Sequence, residues 1–564
     1  MNRLTYGQVR EMLLACADRI IRNEPYLTKV DSAIGDGDHG NGMLTGMKAA
    51  EKVLKDEQDG TNIFGLYADM AAAMQRAMGG ASGMIFSTLF AGDAKDRAPA
   101  SEITPAVFAD QMAAGLKAIK ELGHAEPGDK TMVDAMEPAV RAMLEHADGT
   151  FEEMLSAAAD AARLGMEKTK EQVAKFGRAK SLGTRAIGHQ DAGATSTWLI
   201  LLQMADYVKG TMSEDPDIAL LDEGEEKVRG FVSKKIINDP ADVVKEEGEG
   251  FLYAFGDEFE AVPGVNGFIK KNIPDGKTAL VIGGGSGHEP IFGFFLGENL
   301  ADASANGNVF ASPDPVTVQT VAEAAHRGAG VLFVYGNYAG DNLNFDKAVE
   351  RLEAKGIKTR TVRVRDDVVS APKERYDDRR GIAGDYFVLK VAGAACASLP
   401  LDEAARVTEK AAKNTFTVGV GLQGASLPGK TEPIFTLPAD KMEYGLGIHG
   451  EPGIRRIELE SADSIVDNLV DVILADSGIK EGDTVCTYVN GLGSTTLMEL
   501  MIMNRRLAIL MKEKKIKVHD MQVDRLVTTM EMAGASISLM KLDDELKPYY
   551  DMPCSSPYFT KKGK

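Results

Sequence analysis

The sequence predicts a multidomain chain in which a helical N-terminal region precedes an α/β C-terminal region. Three observations carry this prediction. The chain has 564 residues, more than one hydrophobic core usually serves. Apolar residues recur at helical spacing up to about residue 210. After about residue 233, short β-type runs alternate with helical segments.

The first 210 residues predict helices separated by glycine-rich loops. Residues 106–120, AVFADQMAAGLKAIK, illustrate the pattern, because their apolar residues recur at intervals of three and four. Residues 211–232 then combine acidic side chains with Pro and Gly, which is typical of a linker. We therefore predict a helical domain at 1–210, a linker at 211–232 and a second domain at 233–564.

The second domain contains runs of β-branched and aromatic residues that predict strands. They lie at 278–282, 331–335, 361–364, 415–420 and 484–489. Because these runs alternate with helical segments, we expect α/β layers with ligands bound at the loops that follow strand ends.

Composition narrows the class of protein. The formal net charge of -20 argues against binding to nucleic acid or to an anionic membrane, since both need a basic surface. The N-terminal segment has no secretory core, and no apolar run reaches the length of a membrane span. The cysteines are far apart, which disfavours a zinc site or disulfide framework and predicts reduced thiols in a cytoplasmic protein: Cys16, Cys396, Cys486 and Cys554.

Two glycine-framed histidines are the first candidates for chemistry. His449 lies in YGLGIHGEPG at 444–453, and His288 lies in GGGSGHEP at 283–290. Glycines let a backbone approach a small ligand closely, and a neutral imidazole is a nucleophile. Taken alone, either histidine is better explained as a hydrogen-bonded loop residue.

An aspartate-rich segment, DSAIGDGDHG at 31–40, predicts a metal site. Its three aspartates, Asp31, Asp36 and Asp38, are separated by glycines that let the backbone fold tightly. Carboxylates converging in this way suit Mg²⁺, which is commonly shared with substrate phosphates, and His39 could donate to a phosphate oxygen. An ordinary solvated turn explains the same residues.

Three further loops precede helical stretches at 79–83, 125–132 and 188–196. Helix N-termini preceded by glycines bind phosphate groups well. Simple helix capping is the alternative for each loop, and Lys130 and His189 can equally be plain loop side chains.

Together these loops resemble the nucleotide-binding domain of the dihydroxyacetone kinase family, and the resemblance implies an antiparallel helical barrel that binds ATP and two Mg²⁺ ions. It implies Asp31, Asp36 and Asp38 as metal ligands. The implied nucleotide site comprises His39, Gly40, Asn41, Gly42, Gly80, Ala81, Ser82, Gly123, Thr131, Met132, Arg178, Asp191, Ala192 and Gly193. The sequence departs from the family at Asn41-Gly42-Met43, where asparagine usually precedes methionine directly, so a contact of Asn41 with phosphate stays open.

From Lys235 onward the chain resembles the family's ketose-binding domain, which implies a two-lobed α/β fold. The resemblance implies that His449 adds to the substrate carbonyl as a hemiaminal. It also implies that His288 and Asp341 bind and activate the hydroxyl group that receives phosphate, with Asp341 our preferred base. The implied substrate site is Gly285, Ser286, Gly287, His288, Gly336 and Asp341.

One departure bears on the substrate. Gly336 replaces a lysine that contacts the ketose in the family, which removes a charge and frees volume. We therefore expect a four-carbon ketose such as erythrulose alongside or instead of dihydroxyacetone. A neutral replacement that a neighbour compensates is the alternative.

The favoured interpretation is an ATP-dependent ketose kinase that has no nucleic-acid or membrane partner. The resemblance also implies a homodimer. Alternatives are a phosphotransferase-system kinase that uses ADP as a bound cofactor and a ketose sensor. A lyase side reaction on flavin dinucleotide is also left open, as is transfer within one chain or across subunits. Residues 424–431, GASLPGKT, match a P-loop pattern, but the prolines that follow oppose a helix there.

Overall fold

The structure is a computed structural model that describes residues 1–35, 37–57, 60–217, 234–430 and 432–564, apart from the side chain of residue 181. The chain divides into two compact units, Met1–Lys227 and Val228–Lys564. The predicted metal ligand Asp36 lies outside the described residues, as do residues 218–232 of the predicted linker.

The first unit is helical, as the sequence predicts. Its described helices are α1 Tyr6–Arg22, α2 Glu24–Ser32, α3 His39–Asp56, α4 Ile63–Met78, α5 Gly80–Ala91, α6 Pro105–Gly123, α7 Val133–Glu145, α8 Phe151–Lys168 and α9 Ala192–Lys209. The predicted helix at 106–120 corresponds to α6, which begins at a proline and is capped by the Thr104 side chain.

Helix packing in this unit follows a cyclic order. From α3 to α9 each helix packs against the next in sequence, α9 packs against α1, and α1 packs against α3. Methionine, alanine and leucine side chains fill the core between them. A two-stranded pair, β1 Leu4–Thr5 with β2 Glu102–Ile103, joins the chain's start to the segment before α6, and the sequence pattern does not predict it.

The second unit contains two six-stranded sheets. The first has the order β3-β4-β6-β5-β7-β8, and its strands are β3 Phe259–Ala261, β4 Gly267–Lys270, β5 Ala279–Ser286, β6 Ala303–Val309, β7 Val331–Gly336 and β8 Thr359–Val364. Its four last strands run parallel to one another. The helices of this part are α10 Val243–Phe255, α11 Pro315–Ala325, α12 Ala339–Ala354, α13 Asp385–Ser398 and α14 Leu401–Lys413.

The second sheet has the order β11-β10-β9-β14-β12-β13 and is mostly antiparallel. Its strands are β9 Thr415–Gln423, β10 Lys441–Tyr444, β11 Arg455–Glu458, β12 Thr484–Gly491, β13 Lys517–Asp524 and β14 Ala533–Lys541. Helices α15 Ala462–Ser477 and α16 Leu497–Glu513 pack against it, and α17 Lys547–Asp551 with the pair β15 Cys554–Ser556 and β16 Phe559–Lys561 ends the chain.

The five predicted β-type runs correspond to β5, β7, β8, β9 and β12, so these strand predictions are confirmed. The P-loop-like segment follows β9, and the described residues between Gln423 and Lys441 contain no helix. Thr431, the last residue of that pattern, lies outside the described residues. In the described part of the chain, every helix is too short or too polar to span a membrane.

Candidate functional site

Two imidazole rings meet in the second unit, one after a strand of the first sheet and the other after a strand of the second. The ring centroids of His288 and His449 are 4.9 Å apart, with an angle of 72° between the ring planes. Phe310 stacks on His288 at 5.0 Å, and the Tyr338 ring meets His449 edge-on at 4.7 Å. His288 is 1% exposed and His449 7% exposed. The fold thus brings together two histidines that are 161 positions apart in the sequence.

Each histidine follows the end of a strand, and its Nδ1 lies within hydrogen-bond distance of an oxygen atom. His288 follows β5, and its Nδ1 lies 2.6 Å from the backbone oxygen of Thr528. His449 follows β10, and its Nδ1 lies 3.0 Å from Oε1 of Glu451. A carbonyl or carboxylate oxygen only accepts, so Nδ1 carries the proton in both rings. The neutral form of each ring therefore has its lone pair on Nε2.

Glu451 is the residue that orients His449. It is 1% exposed, and its Oε2 accepts the backbone N–H of His449 at 3.0 Å. A Cβ atom added to Gly447 would lie 2.1 Å from that oxygen and 2.6 Å from Nη1 of Arg380, so only glycine fits between them. The nearby guanidinium offsets the buried negative charge of Glu451.

Arg380 in turn connects this carboxylate to a second one. Its Nε and Nη2 donate to Oδ2 of Asp367 at 3.0 and 2.7 Å. Burial lowers the pKa of the Arg380 guanidinium, but the charges of Asp367 and Glu451 raise it by more. The pKa is therefore raised overall, and Arg380 stays charged. Burial, followed by the Glu451 charge, raises the pKa of Tyr338 well above its usual range. The ring beside His449 therefore carries a protonated hydroxyl group.

The segment from the end of β7 to the first turn of α12 contains two more predicted substrate-site residues, Gly336 and Asp341. Gly336 ends β7, Tyr338 caps α12, and Asp341 lies in the first turn of that helix. A Cβ atom added to Gly336 would lie 3.4 Å from the Tyr338 ring. Because that ring packs on His449, the turn brings Gly336 next to a side chain that contacts this histidine.

The glycine-rich segment before His288 has a packing role. A Cβ atom at Gly285 would lie 2.7 Å from backbone atoms at Phe310 and Ala311, and one at Gly287 would lie 2.7 Å from the Phe310 ring. Ser286 donates its hydroxyl to the Gly307 backbone oxygen at 2.8 Å. The segment therefore lets the strand end approach Phe310, which stacks on His288.

In the first unit, His39 joins the starts of three helices. It is the first residue of α3, its Nε2 lies 2.7 Å from Oγ of Ser196 in α9, and its Nδ1 lies 3.4 Å from Oγ of Ser82 in α5. Burial lowers the pKa of His39, against the opposite effect of Asp31, so the ring is neutral at pH 7. Three helix N-termini brought together make a favourable site for phosphate groups.

The two described aspartates of the predicted metal site lie beside this histidine. Asp31 is in the last turn of α2 and not in the loop, and its Oδ2 accepts the backbone N–H of His39 at 3.3 Å. Asp38 precedes α3, and its Oδ2 lies 3.0 Å from Nη1 of Arg178. The described residues contain no group of three side chains arranged to hold a metal ion, and Asp36 is outside them. Two carboxylates with phosphate oxygens are a usual Mg²⁺ environment, so Asp31 and Asp38 fit that ion.

A buried lysine joins the other two predicted nucleotide loops. Lys130 is 1% exposed, and its Nζ donates to the backbone oxygens of Thr169, at 2.6 Å, and His189. Burial lowers the pKa of Lys130. Asp134 Oδ2 accepts the Thr131 backbone N–H at 2.8 Å, which fixes the same loop.

The predicted residues after these loops also lie together. A Cβ atom at Gly193 would lie 3.2 Å from Oδ2 of Asp191 and 3.3 Å from Cβ of Met132. Asp191 caps α9 by accepting the Ala194 backbone N–H at 2.7 Å, although burial raises its pKa to about 7. Ala192 is buried against α2 side chains.

Other predicted positions shape the surrounding backbone. A Cβ atom at Gly40 would lie 2.2 Å from Oγ1 of Thr28, so Gly40 lets α3 approach α2 closely. Gly42 faces open space, and Asn41 has an exposed side chain. Gly80 and Ala81 begin α5, and Gly123 ends α6 opposite Ile85.

Sequence reasoning assigned no role to several residues that the structure places at these sites: Ser196, Phe310, Tyr338, Arg380, Glu451 and Thr528. Glu451 and Ser196 could have been predicted from the sequence, because both lie inside segments that contain predicted site residues. Phe310, Arg380 and Thr528 could not, since only tertiary packing brings them to the histidines.

Comparison with known proteins agrees with this arrangement. The DAK2 domain model matches residues 33–206 and the Dak1 domain model matches residues 249–558. The chain is 40% identical over 329 residues to the dihydroxyacetone-binding subunit of a PTS-dependent dihydroxyacetone kinase 2 from Listeria innocua. That match covers 58% of this chain and 99% of the subunit.

A kinase and a solved structure match over a smaller share of their own length. The L-erythrulose kinase of Pectobacterium atrosepticum is 41% identical over 332 residues, which is 58% of this chain and 56% of that kinase. The crystal structure of the dihydroxyacetone kinase from C. freundii in complex with AMP-PNP and Mg²⁺ has a TM-score of 0.53 and 28% identity, over 57% of this chain and 60% of that one. Since the Dak1 model alone spans more than half of the sequence and the DAK2 model precedes it, the chain belongs to the dihydroxyacetone kinase family.

Proposed function

We propose that the chain is an ATP-dependent kinase that phosphorylates a terminal hydroxyl group of a short-chain ketose held covalently on His449. The observation that carries the proposal is the pair of buried imidazoles, His288 and His449, whose ring centroids lie 4.9 Å apart. Both rings carry their proton on Nδ1 and have the lone pair on Nε2. One lone pair can attack a carbonyl carbon while the other accepts a hydroxyl proton.

Capture of the ketose uses His449 and Glu451. Nε2 of His449 forms a bond to the carbonyl carbon, the π electron pair moves to the carbonyl oxygen, and that oxygen takes a proton from water, to which the proton released by the ring finally returns. The ring then gives up its Nδ1 proton, for which Glu451 Oε1 at 3.0 Å is the acceptor. Reversible addition anchors a ligand too small to bind tightly through contacts alone. It also excludes glycerol, which has no carbonyl group.

Phosphoryl transfer follows from the anchored position. The terminal hydroxyl oxygen attacks the γ-phosphorus of ATP, its proton passes to Nε2 of His288 or to Asp341, and ADP leaves. Asp341 is our preferred base, with His288 orienting the hydroxyl group. Holding the two reactants in line supplies much of the rate enhancement.

The first unit would hold the nucleotide. We infer that the starts of α3, α5 and α9, joined by His39, bind its phosphate groups, and that Asp31, Asp36 and Asp38 hold two Mg²⁺ ions. These ions supply neutralisation of the negative charge that phosphoryl transfer develops. The cyclic packing order of the helices supports an antiparallel helical barrel around this site.

The proposed substrate is dihydroxyacetone or a tetrulose such as erythrulose. Gly336 supports the longer ketose, because it leaves room beside Tyr338 where a side chain would begin. The name of the Pectobacterium relative supports it too. We further propose a homodimer, which sedimentation would test, and a cytoplasmic location, where ATP is available.

A coupled ADP-release assay with ATP as the only phosphoryl donor tests the function. We expect multiple turnovers with dihydroxyacetone or erythrulose and none with glycerol. The His449→Ala variant should lose the ketose-dependent signal while it still binds nucleotide. Undiminished turnover in that variant would remove covalent capture from the mechanism. Turnover that needs added phosphotransferase-system proteins would favour ADP as a bound cofactor, and ketose binding without any turnover would favour a sensor.

A further inference from the structure

Asp385 is a buried carboxyl group that the proposed mechanism does not use. It is the first residue of α13 and is 1% exposed. Neither of its carboxyl oxygens has a hydrogen-bond partner among the residues that the structure describes. Buried polar atoms are nearly always paired, and leaving one unpaired costs free energy. Such a group calls for an explanation that the protein's own contacts do not supply.

The neighbouring carboxyl group, Asp366, shows what a satisfied one looks like here. It is also fully buried, and its two oxygens accept the backbone N–H groups of Ile382 at 2.8 Å and Gly384 at 2.7 Å. The same turn that pairs Asp366 leaves Asp385 without a donor. Burial, followed by the charges of Asp366 and Asp341, raises the pKa of Asp385 well above its usual range. Burial thus favours its protonated form, which can both donate and accept a hydrogen bond.

The unpaired carboxyl group faces the ketose site through Gly336. A Cβ atom added to Gly336 would lie 3.4 Å from Oδ2 of Asp385 and 3.4 Å from the Tyr338 ring, which are ordinary contact distances. The Tyr338 ring in turn meets His449 at 4.7 Å. A side chain at position 336 would therefore begin between the carboxyl group and the tyrosine. With glycine there, that place is left to a ligand bound at His449.

We propose that Asp385 and Gly336 form a subsite for one hydroxyl group beyond the three-carbon unit of the ketose, so that the enzyme selects a tetrulose over dihydroxyacetone. Gly336 provides the room, and Asp385 provides one donor and one acceptor to the additional hydroxyl group. Dihydroxyacetone is too short to reach Asp385 and leaves it unpaired. A site built to pair a hydroxyl group rejects the analogue that lacks it more strongly than a space of the same size does.

The inference rests on the proposed ketose function but is tested by the ratio of the constants for erythrulose to those for dihydroxyacetone. Dihydroxyacetone and both erythrulose enantiomers are compared by kcat/KM and, separately, by calorimetric binding to the full chain without nucleotide. In the wild type we expect one enantiomer to be preferred over dihydroxyacetone by about 10-fold or more. Asp385→Ala should lower kcat/KM and affinity for that enantiomer by about 10- to 100-fold, and those for dihydroxyacetone by less than about 3-fold.

Three further variants separate recognition from folding. Asp385→Asn keeps a donor and an acceptor, so it should lose less of the preference than Asp385→Ala. Gly336→Ala fills the space without touching the carboxyl group chemically, and it should lower the tetrulose constants selectively. Asp402→Ala removes an aspartate whose side chain is 75% exposed, at the start of α14, and should change neither ratio. If Asp385→Ala does not fold, the asparagine and Gly336 variants decide.

The outcomes separate this inference from the proposed function. Wild-type preference for dihydroxyacetone, or equal losses for both substrates in the Asp385 and Gly336 variants, would overturn the subsite and give Asp385 a structural role only. If the wild type binds ketoses but transfers no phosphate from ATP, the kinase proposal fails and the binding ratio still tests the subsite.

Discussion

Replacing Glu451 with glutamine is the sharpest test of how the ketose site works. The substitution keeps the shape of the side chain and removes its charge. In the native site, Oε1 accepts from Nδ1 of His449 and Oε2 accepts from the backbone N–H of the same residue, each at 3.0 Å. Glutamine has one carbonyl oxygen and one NH₂ group, so it cannot accept both hydrogen bonds.

The size of the effect follows from those two bonds. If the amide oxygen keeps the backbone N–H, the NH₂ group faces Nδ1 and favours the tautomer with the proton on Nε2, which has no lone pair for the carbonyl carbon. If it keeps Nδ1, the buried backbone N–H loses its acceptor. Either way one charge-assisted hydrogen bond is lost, worth about 1.5–3 kcal/mol. We expect kcat/KM for the ketose to fall by about 10- to 150-fold.

The assay is ADP release with a saturating concentration of ATP and a range of ketose concentrations. Its control is Glu443→Gln, which removes the charge of another buried carboxylate, one that lies in β10 and pairs with Arg456 rather than with His449. The control should keep kcat/KM within about 3-fold of the wild type. Melting temperatures confirm that both variants fold. A Glu451→Gln enzyme within about 3-fold of the wild type would refute the tautomer argument, since the ring would not then depend on its carboxylate partner.

Two further predictions concern the first unit. Lys130→Met leaves the buried carbonyl oxygen of Thr169 and the partly buried one of His189 without their donor, so it should destabilise that unit by about 1–3 kcal/mol and raise the KM for ATP. Lys175→Met, which removes a 68% exposed lysine, should cost less than about 1 kcal/mol. Equal melting temperatures in the two variants would contradict the reasoning. The second prediction concerns pH. Burial lowers the pKa of His39 in the folded protein, so at mildly acidic pH the unfolded chain binds more protons than the folded one. The stability that comes from the neutral ring is therefore fully present above about pH 6.5 and is lost as the pH falls through the lowered pKa. The melting temperature should therefore drop less between pH 7.5 and pH 5 in His39→Gln than in the wild type, and identical drops would show that His39 does not titrate as a buried group.

The parts of the fold that the sequence predicted are those written in local patterns. The five β-type runs became strands because each is a short set of β-branched residues bounded by glycine or polar residues. The helix at 106–120 is longer by one residue at its start and three at its end, since Pro105 can start a helix and Gly123 can end one. The pair β1 with β2 was missed, because its two-residue strands lie almost a hundred positions apart.

The candidate sites divide in the same way. His288, His449 and Asp31 were found because glycines or neighbouring aspartates mark them in the sequence. Asp385 could not be found, because nothing in the run GIAGDYF tells a solvated N-terminal helix residue from one buried without a partner. What distinguishes Asp385 is that the fold places it next to Gly336, which lies 49 positions earlier in the sequence.

The two histidines of the proposed ketose site share a tautomer but differ in the partner that sets it, and this difference supports the roles proposed for them. The Nδ1–H of His449 meets a carboxylate, while that of His288 meets the neutral backbone oxygen of Thr528. A carboxylate raises the electron density of the ring and can take the Nδ1 proton as a bond forms at Nε2, which a carbonyl oxygen cannot. His449 is therefore suited to form a covalent bond and His288 only to accept or orient a proton. The hydrogen-bond partner of Nδ1, a carboxylate or a backbone oxygen, therefore determines whether a histidine is suited to bond formation or to handling a proton.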